Sequence, residues 1–157
     1  MGSKQDLVLI DTNIFVIDLR YKRDVYYKRN RAFLAYTAKN RTGFTTIINL
    51  LELCGILSFN LNKKQLTELW FYFQDRYQVS VLPVPDLDTN FPAIKIKETK
   101  ETFDLLKNRT SLDDALMMVV ARKYLPFVST MVTWDKVHFK NVFSGSVLNL
   151  EKFPYIV

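Results

Sequence analysis

The stretch "LVLIDTNIF", residues 7 to 15, sets the reading of the chain. Leu7, Val8, Leu9 and Ile10 are apolar without alternation, the pattern of a strand buried on both faces, which is characteristic of parallel sheets. Asp11 ends that run. A carboxylate at the carboxyl end of a buried strand is poorly solvated unless something nearby calls for negative charge, so Asp11 is the first candidate functional residue.

Downstream, Lys22 to Lys39 is long, mixed in character and expected to be helical. Gly43 breaks it, and Thr45 or Thr46 can cap a second helix running to about Leu57. Asn62 is placed to cap a third, within "LNKKQLTELWFYFQDRYQ". Residues 79 to 84, "VSVLPV", predict a strand. Pro83, Pro85 and Pro92 bracket a loop, and a charged helix is expected from about Ile94 to Asn108. Ser111 opens another helix that reaches Tyr124, before Pro126. "FVSTMVT" and "SVLNL" supply two further strands. Strands alternating with helices indicate an α/β layered fold with a largely parallel sheet. In such sheets ligands bind outside the carboxyl ends of the strands, where Asp11 lies.

At 157 residues, with 48% hydrophobic and 14% aromatic content, the chain is expected to form one domain, residues 1 to 157, with a proper core. A single cysteine, Cys54, cannot form an internal disulfide, which favours a reducing compartment. No apolar run approaches the ~20 residues of a membrane span and no signal-peptide pattern opens the chain. A cytoplasmic location without membrane contact is therefore expected.

The net charge of +6 comes from 22 Lys and Arg against 16 Asp and Glu. Between Arg20 and Arg41, eight basic residues meet one acid, Asp24, with Tyr21, Tyr26, Tyr27, Phe33 and Tyr36 interleaved. Cations neutralise phosphates and rings stack on unpaired bases, so this segment, with Lys28 and Arg29 near its middle, suits a nucleic-acid groove. The same pattern also describes a solvated helix face whose aromatics pack inward.

Three other stretches hold acids. In "TTIINLLELCGIL" a helix would put Asn49, Glu52 and Gly55 on one narrow polar stripe, with Glu52 facing either a strip of solvent or a polar cavity. Asp113 and Asp114 open "SLDDALMMVVARKY", where Ser111 and Asp114 have capping-box spacing and first-turn acids favour the helix dipole. Asp135, in "TWDKVHF", follows a strand as Asp11 does, a position also common for turn residues and helix caps. His138, the only histidine, reads as a packing or turn residue, and no second His or nearby Cys supports a zinc site. If the sheet gathers Asp11, Glu52, Asp135 and an acid of the Asp113–Asp114 pair into one pocket, they raise each other's pKa unless a cation neutralises them. Hard oxygen donors suit Mg²⁺ or Mn²⁺, ions that activate water and stabilise charge on a phosphate.

"LIDTNIF", "INLLELCGIL", "SLDDALMMVVA" and "VTWDKVHF" resemble, in order and spacing, the motifs of the PIN-domain nucleases, a family that includes the toxin nucleases of VapBC toxin–antitoxin pairs. The likeness covers nearly the whole chain, with Asp135 coming 21 positions after Asp114. It implies a three-layer α/β/α domain that cuts single-stranded or structured RNA with Mg²⁺ or Mn²⁺. It further implies catalytic and metal-binding roles for Asp11, Glu52, Asp114 and Asp135, orienting roles for Thr12, Asn13 and Thr133, and an antitoxin or a second copy of the chain as partner. Asp114, directly before Ala115 and Leu116, matches the third acid better than Asp113, although the doubled aspartate leaves two registers open. The competing expectations are a PIN-like RNA-binding or processing module with little or no cleavage, and an unrelated α/β domain that binds a nucleotide. No glycine-rich phosphate loop supports the latter.

Overall fold

The computed structural model describes residues 6–85 and 96–154. The sheet contains β1 (Val8–Ile10), β2 (Gly43–Thr46), β3 (Ser80–Leu82), β4 (Thr130–Thr133) and β5 (Ser146–Asn149), in the order β3-β2-β1-β4-β5 with every pairing parallel. The helices are α1 (Thr12–Arg20), α2 (Tyr27–Asn40), α3 (Ile47–Leu57), α4 (Lys63–Tyr77), α5 (Ile96–Leu106), α6 (Leu112–Tyr124) and the short α7 (Lys136–Phe139). A 3-10 turn, Leu150–Lys152, follows β5.

Strand alternation builds the layers. Val8 and Ile10 of β1, with Val81 and Val132, join Ile14, Phe15, Phe33, Leu50, Leu53 and Phe73 in a core packed by α1 to α4. Leu9, with Met131 and Val147, points the opposite way into a second core with Leu105, Met117, Met118 and Phe139 from α5, α6 and α7. Adjacent residues of one strand thus serve opposite faces, and both cores exclude water from the sheet. This is the expected three-layer α/β/α arrangement.

Three local expectations change. Thr12–Arg20 is a helix that the sequence reading did not assign. Asp11 caps it by accepting a hydrogen bond from Thr12 N at 2.7 Å. Gly43–Thr46, read as a break and a cap, is strand β2, with Thr46 also capping α3 through a reciprocal box with Asn49. The long basic segment is α2 alone, starting at Tyr27 after a turn in which Asp24 accepts from Tyr26 N at 2.8 Å. Pro92 and the expected helix start at Ile94 lie outside the described residues.

From β1 the chain crosses to β2 and β3 on one side, and later returns to lay β4 on the other side of β1. The crevice at this reversal, at the carboxyl ends of β1 and β4, is where an open α/β sheet accommodates ligands.

A carboxylate cleft at the ends of β1 and β4

At that reversal a cleft of about 260 Å³ is lined by Asp11, Thr12, Asn13, Glu52, Asp113, Asp114, Asp135 and His138, among others. The four acids singled out from the sequence therefore share one site. Each arrives by a separate route: Asp11 at the end of β1, Glu52 on α3, Asp114 in the first turn of α6, and Asp135 just past β4.

Threonine and asparagine hold these acids in place. Thr133 Oγ1 donates to Asp11 Oδ2 at 2.7 Å and accepts from Asp135 N at 2.9 Å and from Asn13 Nδ2 at 3.1 Å. Asn13 Oδ1 in turn accepts from Trp134 N at 3.3 Å. On the other side Thr12 Oγ1 donates to Glu52 Oε2 at 2.5 Å and accepts from Asn49 Nδ2 at 3.0 Å. Asn49 Oδ1 is fixed by Thr46 Oγ1 at 2.7 Å. Thr12 and Thr133 thus bond directly to cleft acids, and Asn13 bonds to Thr133. Asn49 is the polar residue of this network that sequence reasoning placed on a stripe but gave no role. Its spacing of three from Glu52 was the available signal.

The electrostatics are those of a site short of positive charge. Burial pushes Asp11 up to about 6, against the pull of the Thr133 and Thr12 hydrogen bonds, and the Asp114 and Asp135 charges push the same way. Glu52 is pushed up to about 7, chiefly by burial, with Asp11 and Asp113 adding to the rise. Asp114 is also raised by burial, while the Ser111 hydrogen bond holds Asp113 below the usual carboxylate range. The acids fall into two groups. Asp114 and Asp135 act on Asp11, whereas Asp113 pairs with Glu52. Both members of the doublet therefore line the cleft, on different sides. Asp114 combines two roles, accepting from Ser111 Oγ at 2.7 Å while its backbone N donates to that hydroxyl at 3.3 Å.

The structure decides one open reading and corrects another. Glu52 faces the polar cavity rather than a strip of solvent. His138 is not a packing residue. It is exposed, and its Nδ1 lies 2.8 Å from Asp135 Oδ2 at the edge of the cleft. By contrast Asp18, a further buried acid, belongs to the scaffold, accepting from Tyr77 Oη at 2.7 Å and Arg31 at 3.1 Å.

All-oxygen carboxylate donors are the chemistry that Mg²⁺ and Mn²⁺ prefer. Among the described residues, however, no group of three or more Asp, Glu, His or Cys side chains is arranged to hold a metal ion as it stands. The donor set fits such an ion.

The basic segment divides as well. Arg29 Nε and Nη2 donate to the Leu150 and Glu151 carbonyls at 3.0 and 2.6 Å, tying α2 to the 3-10 turn. Lys28, Lys22 and Arg23 are exposed and form no ion pair with any described residue. In α4, Phe73 and Tyr77 are buried while Phe71 and Tyr72 are exposed. Among the described residues no helix is long and apolar enough to cross a membrane.

No protein-family model and no curated protein matches the sequence. Solved structures do match the fold. VapBC2 from Rickettsia felis, bound to a DNA fragment from its promoter, is 23% identical with a TM-score of 0.57, covering 91% of this chain and 98% of that one. FitAcB from Neisseria gonorrhoeae is 17% identical with a TM-score of 0.58, covering 93% and 99%. FitAB bound to an IR36 DNA fragment is 15% identical with a TM-score of 0.56, covering 92% and 95%. The likeness is one of architecture, the PIN-domain fold, over nearly the full length of each chain.

Proposed function

We propose that the protein is a Mg²⁺- or Mn²⁺-dependent endoribonuclease that hydrolyses RNA phosphodiester bonds in the carboxylate cleft. The observation that carries this reading is the convergence of Asp11, Glu52, Asp113, Asp114 and Asp135 on one cleft, with Asp11 and Glu52 pushed up to about 6 and 7. Acids so placed are poorly suited to receive a phosphate unless a cation stands between them.

In this reading Asp11, Asp114 and Asp135 hold the ion, with Glu52 bound directly or through water. A divalent ion in such a site supplies an activated water and neutralises charge on the scissile phosphate. The chain's own residues set the stage. Thr133 keeps one oxygen of Asp11 occupied, fixing the direction of the other. Thr12, held by Asn49, does the same for Glu52. Lys22, Arg23 and Lys28 attract the RNA backbone from outside the acidic centre.

We propose further that the enzyme is the toxin of a toxin–antitoxin pair and works in the cytoplasm, its activity held in check by an antitoxin chain. Support comes from the shared fold with VapBC2 and FitAB, which are complexes of this kind. Gel assays on single-stranded RNA with Mn²⁺, with chelator, and with Asp114→Asn test the enzymatic proposal. Cleavage is expected only for wild type with metal. RNA binding without cleavage under any metal would make the protein a binding module instead.

A further inference from the structure

We infer that Tyr26, stacked on Trp134, is a platform for an unpaired RNA base beside the cleft, and so a specificity-determining residue for the proposed cleavage. The inference rests on the ribonuclease reading for its ligand but on separate residues for its geometry.

The two rings lie 4.3 Å apart between centroids at an interplanar angle of 32°. Trp134 is the fixed partner. Its Nε1 donates to Asn30 Oδ1 at 3.0 Å, and Asn30, fully buried, anchors itself on the Ile14 carbonyl at 2.8 Å. Its backbone N is held by Asn13, a cleft residue. Trp134 is flanked in sequence by Thr133, which orients Asp11, and by Asp135, which lines the cleft. The indole is thus tied to the acids on both sides, and one of its faces is covered by Tyr26.

Tyr26 is the exposed member, at 41%. Its backbone N donates to Asp24 and its carbonyl accepts from Asn30 N at 2.9 Å, while its ring meets the fold through Trp134. Its ring joins neither of the buried cores that flank the sheet, and a single large ring left half open on a rigid indole is a stacking surface. Beside it in the chain run Arg20, Tyr21, Lys22 and Arg23, all exposed, with the Arg20 guanidinium over the Tyr21 ring at 5.4 Å. Cations beside open rings are the combination that binds single strands, the cations taking phosphates and the rings taking bases. A base paired in a duplex cannot offer its face, so the platform selects unpaired nucleotides next to the scissile bond.

The test measures binding of a labelled short oligoadenylate by anisotropy in chelator, alongside cleavage of the same oligomer in Mn²⁺. Tyr26→Ala is expected to weaken binding roughly ten-fold, within the usual range for loss of one base–aromatic stack. Tyr26→Phe should bind as wild type. The slope of log affinity against log salt should not change, because no phosphate contact is lost. Binding of an abasic ribose-phosphate oligomer should be the same for wild type and Tyr26→Ala. Should Tyr26→Ala melt early, Tyr26→Leu, which keeps an apolar cover on Trp134, replaces it and is expected to show the same loss. Equal affinity of the variant and wild type for oligoadenylate, or an equal loss on the abasic oligomer, overturns the platform. Wild type that cleaves the oligomer while Tyr26 proves indifferent leaves the nuclease reading standing without the platform. A Tyr26-dependent binder that never cleaves leaves the platform standing without the nuclease.

Discussion

Thr133 Oγ1 donates to Asp11 Oδ2 at 2.7 Å, joining the carboxyl ends of two parallel strands, β1 and β4, whose last paired residues are Ile10 and Val132. The same hydroxyl receives the backbone N of Asp135, so one threonine positions two acids of the cleft. Thr133→Val removes the hydroxyl while keeping the shape of the side chain. It is expected to lower Mn²⁺ affinity and cleavage by roughly 10–100-fold, the usual consequence of losing an outer partner of a metal ligand. Thr133→Ser should retain most of both. Calorimetry with Mn²⁺ and cleavage rates, compared with thermal melts, separate this from simple unfolding.

A second prediction follows from the raised acids, with the sign set by linkage. Asp11 ordinarily titrates near 3.8 and Glu52 near 4.5, but in the fold they stand at about 6 and about 7. Between those values the folded protein binds more protons than the unfolded chain. Metal-free protein should therefore lose stability as pH rises from about 4 to about 7, and change little from these two groups above that. Each group contributes on the order of 2–3 kcal/mol across its window. Melting in chelator should show this decline, and Mn²⁺ should raise the melting temperature more at pH 8 than at pH 5. A metal-free melting temperature that rises between pH 5 and pH 7 would contradict it.

The adjacent aspartates give a third. Asp114 belongs with Asp11 and Asp135, whereas Asp113 faces Glu52. Asp114→Asn is expected to abolish metal-dependent cleavage of single-stranded RNA, and Asp113→Asn to retain most of it. Because Asp114 also interacts with Ser111, its loss can cost about 0.5–2 kcal/mol of helix capping, so melts must accompany the assays. A dead Asp113→Asn beside an active Asp114→Asn would shift the third acid by one position.

The basic segment gives a fourth. Charge reversal at Lys22, Arg23 and Lys28 should flatten the salt dependence of RNA binding, since fewer counterions are released. Arg29→Ala should act differently. It removes the two bonds to the Leu150 and Glu151 carbonyls and should cost about 1–3 kcal/mol in stability, as measured by denaturant titration. An unchanged salt slope in the triple reversal would return the segment to a solvated helix face.

The sequence carried the acids and most of the elements, because both depend on short-range signals. Asp11 and Asp135 each end an unbroken apolar run, and Asn62 and Ser111 sit where helix caps belong. What was hidden depends on partners distant in the chain. β2 is only four residues, "GFTT", and becomes a strand by pairing with β1 and β3. α1 was obscured because "NIFVIDL" is rich in residues that also suit strands, and its buried Asp18 is explained only by Tyr77 and Arg31. Arg29 looked like a phosphate ligand because its carbonyl partners lie more than a hundred positions away. His138 needed the turn after β4 to meet Asp135. In Glu52 the stripe with Asn49 was visible, but whether it faced water or a cavity waited on Thr12 across the cleft.

Calorimetric titration of Mn²⁺ into wild type and Asp11→Asn, each shown to be folded by thermal melting, tests the metal site most directly. Wild type should bind Mn²⁺, and Asp11→Asn should lose at least ten-fold in affinity, because the proposed ion is held by the buried acid at the end of β1. Equal affinity in the two proteins, or no binding to wild type, would contradict the account.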